Sequence, residues 1–294
     1  KRGFFRLVRL AVGERDMENS NPDDPVDGIR STGEYREGGS EAIAALQERI
    51  VRKINESGPI SFAEYMELAL YDPEGGYYAR HSRQVGRHGD FFTSVSAGPV
   101  FGRILASQVL LWWQQAGSPE EWRLVEPGAH DGTLAHDVLE EIARVSPAAF
   151  HGLEYLIPEP RPELASAQVE KLGRFGDSVR IAPEPSGSRP LPGFLLANEV
   201  IDALPVRIIE AREDGWHEMG VRAEQDRLAW TDLGPSPSIA SHLPPQAPGY
   251  RTEVRPGLTG FLESFLPLIA TGRMLWIDYG FERDDYYAPE RSEG

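Results

Sequence analysis

The run Glu126-Pro127-Gly128-Ala129-His130-Asp131-Gly132 sets an acid directly before a turn of small residues. Its glycines lack the Cβ atoms that would keep a ligand away from main-chain N–H groups. Such a turn suits a nucleotide-like ligand pressed against backbone. Pro127 restricts Glu126 to extended geometry, so a strand can run unbroken up to the turn. A second acid, Glu159, lies 27 positions beyond Gly132, where a carboxylate at the end of the next strand can accept from both ribose hydroxyls of an adenosine. Taken singly, each feature also fits an ordinary strand-turn-helix unit and a solvated carboxylate. Glu126 separates two cofactor classes, because an acid before the turn can pair with a ligand that carries a sulfonium and an α-amino group, as NAD does not.

These residues need strands to carry them. From Trp122 onward short apolar runs alternate with helical patterns: strands are predicted over 123–126, 153–157, 179–182, 194–197 and 274–278, and helices over 134–145 and 162–172. That alternation predicts a parallel sheet covered by helices on both faces, an α/β fold with ligands beyond the carboxyl ends of the strands. Runs at 206–210, 217–221 and 227–231, broken by turn residues such as Asp214-Gly215, predict an antiparallel insertion. Residues 234–249 read as a Pro-rich linker and 259–270 as a helix.

Upstream, Ile43, Leu46, Ile50, Val51 and Ile54 recur at helical spacing over 41–57. Ser61-Phe62-Ala63-Glu64 reads as a capping box opening a second helix to about Leu70. The stretch 77–96 reads as an ordered loop, and 99–116 as a buried helix bearing Phe101, Ile104, Leu105, Val109, Leu110, Trp112 and Trp113. The domain reading is therefore a disordered segment over 1–40, a helical region with a pocket loop over 41–117, and the sheet domain over 118–294.

Composition narrows the chemistry. Thirty Lys and Arg against 46 Asp and Glu give a net charge of −16, a field that repels phosphate backbones and disfavours nucleic-acid partners. The absence of cysteine excludes disulfides, thiolate metal sites and cysteine nucleophiles. The seven His residues form no ligand-spaced set, and His81 and His88 read as solvated, so no metal is expected. No apolar run is long enough for membrane insertion. Neither a Gly-x-Ser-x-Gly elbow nor a phosphate-binding lysine loop is present. The first fifteen residues carry five basic side chains among apolar ones, a pattern open to two readings: an amphipathic targeting segment, or a stretch upstream of a start at Met17.

Several longer motifs occur in order: the segment from Ile60 to Pro73, Gly75-Gly76-Tyr77-Tyr78, Gly89-Asp90-Phe91-Phe92-Thr93, Pro99-Val100-Phe101-Gly102, Val125 to Leu134, and Ala197-Asn198-Glu199 with Asp202-Ala203-Leu204-Pro205-Val206. Together they resemble the MidA-type S-adenosylmethionine-dependent methyltransferases, a family that includes the mitochondrial complex I assembly factor that methylates a protein arginine. The resemblance implies a class I methyltransferase, Rossmann-like sheet with an N-terminal helical extension and an antiparallel β insertion. It implies S-adenosyl-L-methionine as cofactor, with Glu126, Gly128 and Gly132 at its methionine end, His130 and Asp131 in the same turn, and Glu159 at its ribose. It also implies that Gly89, Phe92, Thr93 and Asn198 line the pocket. His130 stands where the family usually has a second glycine, and Val95-Ser96 where it usually has Pro-Glu. The chain ends where the family continues, which reads as an incomplete C-terminal part.

For a protein arginine acceptor, carboxylates would clamp the planar guanidinium, and Glu199, Asp202 and Asp90 are the candidates. Asp202 equally fits a helix N-cap before Ala203-Leu204. The expected partner is a protein substrate. The expected compartment is the cytoplasm, or the mitochondrial matrix in a eukaryote. Two rival functions are a catalytically silent cofactor-binding assembly factor and an NAD-dependent oxidoreductase.

Overall fold

The computed structural model describes residues 37–80, 98–186, 189–225 and 227–292. In chain order the main elements are α1 (Glu37–Ser57), β1 (Ile60–Ser61), α2 (Phe62–Tyr71), α3 (Val100–Gln115), β2 (Trp122–Val125), α4 (Thr133–Val145), α5 (Pro147–His151), β3 (Leu153–Pro158) and α6 (Pro162–Leu172). They continue with β4 (Val179–Ala182), β5 (Leu191–Asn198), β6 (Arg207–Arg212), β7 (Gly215–Glu224), β8 (Arg227–Pro235), β9 (Arg251–Val254), α7 (Leu258–Glu263) and β10 (Ile269–Ile277). The described residues form two compact units, one holding those up to 80 with 204–257 and those from 280 on, the other holding 98–203 and 258–279. This division is not the expected linear one at 117/118, because the chain leaves the second unit after β5 and returns to it for α7 and β10.

In the first unit, α1 and α2 pack beside an antiparallel sheet ordered β1-β7-β6-β9, with β8 on β7. Its core joins Leu46, Ile50 and Ile54 of α1 and Phe62, Tyr65, Met66 and Leu70 of α2 to Val206, Val221 and Leu228. Ser61 caps α2 by accepting from Glu64 N at 3.1 Å. The Glu64 carboxylate instead meets Lys53 at 2.8 Å, leaving the expected capping box half formed. The antiparallel excursion appears as predicted and is larger, since β1 and β9 join it. Residues 37–40, expected to be disordered, open α1, and the remainder of that expectation lies outside the described residues.

The second unit is a five-stranded parallel sheet, ordered β10-β5-β2-β3-β4. Its central strands read as continuous apolar runs because both faces are buried. Alternation sorts them: Trp122, Leu124, Tyr155, Phe194 and Leu196 pack with α3 and α4 on one side. Val125, Leu156, Leu195 and Ala197 pack with Phe265 and Leu268 on the other. On α3, Trp112 and Trp113 are buried as expected, but Ile104 is 56% exposed, so the helix is buried on one face rather than around its circumference. The helix expected over 259–270 stops at Glu263; Leu266–Leu268 form a 3₁₀ turn and the chain enters β10 at Ile269. Pro267, which cannot donate to a helical ladder, explains the break. Within the expected linker, Pro237–Ala240 form one helical turn, and Tyr77–Arg80 form another within the expected loop.

Candidate cofactor and acceptor site

The parallel sheet reverses its winding at β2, which has β3 on one side and β5 on the other. Such a switch point opens a crevice at the carboxyl ends of the strands. The residue following each of four adjacent strands is an acid: Asp278 after β10, Glu199 after β5, Glu126 after β2 and Glu159 after β3. The carboxyl rim of the sheet is therefore lined with carboxylates.

Glu126 is 2% exposed, and its Oε2 accepts from the Tyr155 hydroxyl at 2.5 Å. Burial lifts its carboxyl to about 7; the Tyr155 hydrogen bond opposes this and the charge of Asp131 adds to it. After Glu126 the chain turns through Gly128 at φ +69°, His130 at φ +48° and Gly132 at φ +78°. A Cβ at Gly128 would stand 2.8 Å from Val200 Cγ2, so the turn demands glycine there on both conformation and space. Gly132 then caps α4 in the left-handed region without a side chain to offer. Asp131 supplies the missing acceptor, taking Thr133 N at 3.0 Å on Oδ1, with Lys171 Nζ at 2.6 Å and Thr133 Oγ1 at 2.9 Å on Oδ2. Burial works to raise the Asp131 carboxyl, but its donors win and hold it well below the usual range. We attribute this to Lys171 and Thr133, because the His130 imidazole is 3.9 Å away.

Glu159 is 4% exposed. Its Oε1 accepts from Arg161 N at 3.0 Å and Arg161 Nε at 3.1 Å, and its Oε2 lies 3.4 Å from Gln168 Nε2. The solvated carboxylate that its position at a strand end also allowed is thus ruled out. At the end of β5, Glu199 has φ +53°, an uncommon conformation for a residue with a Cβ, and its N–H donates to Ile277 O at 2.8 Å. Burial first, then the charges of Asp202 and Asp278, raise the Glu199 carboxyl. Asp278 Oδ2 accepts from Ile201 N at 2.7 Å and Asp202 N at 3.2 Å, and Oδ1 from Tyr279 N at 2.8 Å. Asp202 sits inside a 3₁₀ turn, Ile201–Ala203, so it does not cap an α-helix. The carboxylate of Asp278 takes the amide protons that a cap would take. The Asn198 Oδ1 is buried without a hydrogen-bond partner among the described residues.

The structure thus gathers Glu126, Gly128, His130, Asp131, Gly132, Glu159, Asn198, Glu199 and Asp202 along one rim of one sheet. Gly89, Asp90, Phe92 and Thr93, together with His81, His88 and Val95-Ser96, lie outside the described residues. Tyr155, Gln168, Lys171 and Asp278 were not anticipated. Of these only Asp278 left a signal, as the acid closing an apolar run at 274–277. Among the described residues no group of three or more His, Asp or Glu could hold a metal ion.

A family model described as "Putative S-adenosyl-L-methionine-dependent methyltransferase" matches residues 104–294. The chain belongs to this methyltransferase family. Among its curated relatives, the protein named "Protein arginine methyltransferase NDUFAF7, mitochondrial" of Xenopus tropicalis is 28% identical over 280 residues, 84% of this chain and 64% of that protein. The homologue so named from Drosophila melanogaster is 33% identical over 199 residues, 60% of this chain and 44% of that protein. This chain therefore spans about two thirds or less of these two relatives. A Burkholderia thailandensis protein whose crystal structure holds S-adenosyl-homocysteine is 28% identical with a TM-score of 0.76, over 90% of this chain and 70% of that one. Family membership and this likeness agree with the resemblance seen in the sequence and with its α/β fold.

The rim residues fit the family's cofactor, S-adenosylmethionine. Gly128 and Gly132 carry the turn past the rim without Cβ atoms, and the buried Glu126 carboxyl has a neutral phenol as its hydrogen-bond partner, which suits a positively charged ligand.

Proposed function

We propose that this chain transfers a methyl group from S-adenosylmethionine to a protein side chain, specifically an arginine. The observation that carries this reading is the row of four acids on adjacent strand ends, two of which, Glu126 and Glu199, are pushed up by burial and by neighbouring negative charge. A rim so charged favours cationic ligands on both counts, the cofactor's sulfonium and ammonium and the acceptor's guanidinium. The pyrophosphate of NAD would meet the same carboxylates and be repelled. The names of the relatives support arginine as acceptor and a mitochondrial setting. In a eukaryote the compartment would be the matrix, and in a bacterium the cytoplasm.

When bound, the cofactor supplies an electrophilic methyl on sulfur. Glu126, Gly128 and Gly132 would hold its methionine end, and Glu159 its ribose. Glu199 and Asp202 would grip the guanidinium and leave one nitrogen aimed at the methyl, with Asp278 fixing the loop that carries them. Alignment of nucleophile and methyl supplies most of the acceleration in such a displacement. The Glu199 carboxylate, raised above its ordinary range, is suited to take the proton that the acceptor nitrogen releases.

Two measurements test this. Calorimetric titration of the protein should show binding of S-adenosylhomocysteine and none of NAD; the reverse pattern rejects the reading. Incubation with methyl-labelled cofactor and a cell lysate should label a protein band that Glu199→Gln removes, with methylarginine on hydrolysis. Labelling undiminished in the variant removes Glu199 from the clamp.

A further inference from the structure

We infer that Gln168 is a positioning residue that locks the glycine turn and the ribose acid into one register, so that the two ends of the cofactor are held as a unit. This rests on the methyltransferase reading above.

Gln168 projects from α6 and is fully buried. Its Nε2 donates to His130 O at 2.7 Å and lies 3.4 Å from Glu159 Oε2. Two acceptors on one side fix the amide's orientation, since the reversed amide would set its oxygen against a carbonyl and a carboxylate. The oxygen is then left over, and Gln168 Oε1 is buried with no hydrogen-bond partner among the described residues. Packing alone would be served better by an apolar side chain of the same length, because an unsatisfied buried acceptor is unfavourable. The donor side of the amide must therefore justify the residue.

What it holds is a strained segment. His130 stands at φ +48°, a region that L-residues seldom occupy, and the Gln168 hydrogen bond pins its carbonyl. The Gln168 Cγ is 3.5 Å from the place where a Gly132 Cβ would stand, so the side chain also lies against the end of the turn. On the other side Arg161 holds Glu159 Oε1, and Gln168 faces the remaining oxygen. The turn follows β2 and Glu159 follows β3, and one amide spans both.

Gln168→Met keeps the length of the side chain and removes its donor. Titrated with S-adenosylhomocysteine, it should bind at least tenfold more weakly than wild type. With adenosine alone, which does not need the turn, the loss should stay under threefold. An S-adenosylhomocysteine affinity within twofold of wild type overturns the inference, as does an equal loss for both ligands. In a His130→Gly background, where glycine adopts the turn unaided, Gln168→Met should cost less than threefold; an undiminished loss there also overturns it. Should Gln168→Met not fold, Gln168→Glu takes its place. Its affinity relative to wild type should be poorest at pH 8, where the new carboxylate faces Glu159 and the His130 carbonyl, and should recover toward pH 5. A flat ratio overturns the inference. If wild type itself binds no S-adenosylhomocysteine, it is the methyltransferase reading that fails.

Discussion

Replacing Glu126 by Gln should stabilise the ligand-free protein while weakening its hold on cofactor. Burial lifts the Glu126 carboxyl from its ordinary 4.5 to about 7. A carboxyl whose folded value is raised favours folding only while protonated. Below pH 4.5 both states hold the proton and nothing is lost. Between 4.5 and about 7 the unfolded chain releases its proton and the folded one does not, so stability falls as pH rises. Above 7 both are ionised, and the cost is constant at about 3 kcal/mol, the free energy of moving the carboxyl from 4.5 to about 7. At pH 5 the same linkage leaves a cost of about 1 kcal/mol. A neutral Gln can still accept from the Tyr155 hydroxyl and carries none of this charge.

Urea unfolding followed by tryptophan fluorescence at pH 5 and pH 8 measures the difference. Relative to wild type, Glu126→Gln should gain about 2 kcal/mol more at pH 8 than at pH 5. In parallel, S-adenosylhomocysteine affinity should rise with pH through about 7 in wild type, as the carboxylate proposed to meet the ligand's ammonium forms. In the variant it should be flat and roughly 10- to 150-fold weaker, the loss of one hydrogen bond to a charged group at about 1.5–3 kcal/mol. The reasoning fails if the variant is less stable than wild type at pH 8, or if its affinity and pH dependence match wild type.

Gly128→Ala forces a Cβ into a backbone at φ +69° and to 2.8 Å from Val200 Cγ2, which should cost about 1–3 kcal/mol in stability and lower S-adenosylhomocysteine affinity; an unchanged melting curve contradicts it. Asp278→Ala removes the acceptor of the Ile201 and Asp202 amides, so acceptor KM should rise and kcat fall at least tenfold, about 1.4 kcal/mol, with S-adenosylhomocysteine affinity within twofold of wild type. Asp278→Asn keeps an acceptor oxygen and should recover most of the activity. It should also move the pH profile to lower pH, because Asp278 helps to raise Glu199; recovery with no pH movement would separate Asp278 from Glu199.

Much of the rim could be read in the sequence because strand ends announce themselves. A buried parallel strand is a continuous apolar run, so an acid at its end is conspicuous, and Glu126 and Glu159 stand out that way; Glu199 enters through the family motif and the guanidinium it would clamp. Tyr155 and Gln168 carry no such mark, and Asp278, though it closes an apolar run, does not show its role, because what matters about all three is a partner far along the chain. Tyr155 meets Glu126 across 29 positions, Gln168 meets His130 across 38, and Asp278 meets Ile201 across 77. Periodicity reports which face a residue takes and says nothing of register between strands. The helix expected over 259–270 failed for a local reason, since its apolar spacing was helical and one proline overruled it.

Carboxyls at the two ends of the parallel sheet show why part of the rim is best understood as a working surface. Glu154, near the amino end of β3, is partly buried and is neutralised from two sides: Arg123 donates to it at 2.8 and 3.1 Å, and Arg180 at 2.8 Å. Burial works to raise its carboxyl, and the two guanidinium groups outweigh this and lower it. That is how a fold treats a carboxylate it keeps for stability. At the carboxyl ends Glu159 is held by Arg161, but Glu126 has a neutral phenol for a partner and Glu199 has two further acids for neighbours, and both of these carboxyls rise. His130 and Glu199, two of the four non-glycine residues at positive φ among the described residues, lie on the same rim. Carboxyls left without a cation at one end of a sheet, while Glu154 at the other end is neutralised, are expected where a cationic ligand completes the site. On this argument, saturating S-adenosylhomocysteine should stabilise wild type more at pH 8 than at pH 5, and the increment should vanish in Glu126→Gln; an increment that persists in the variant would place the compensating charge elsewhere on the rim.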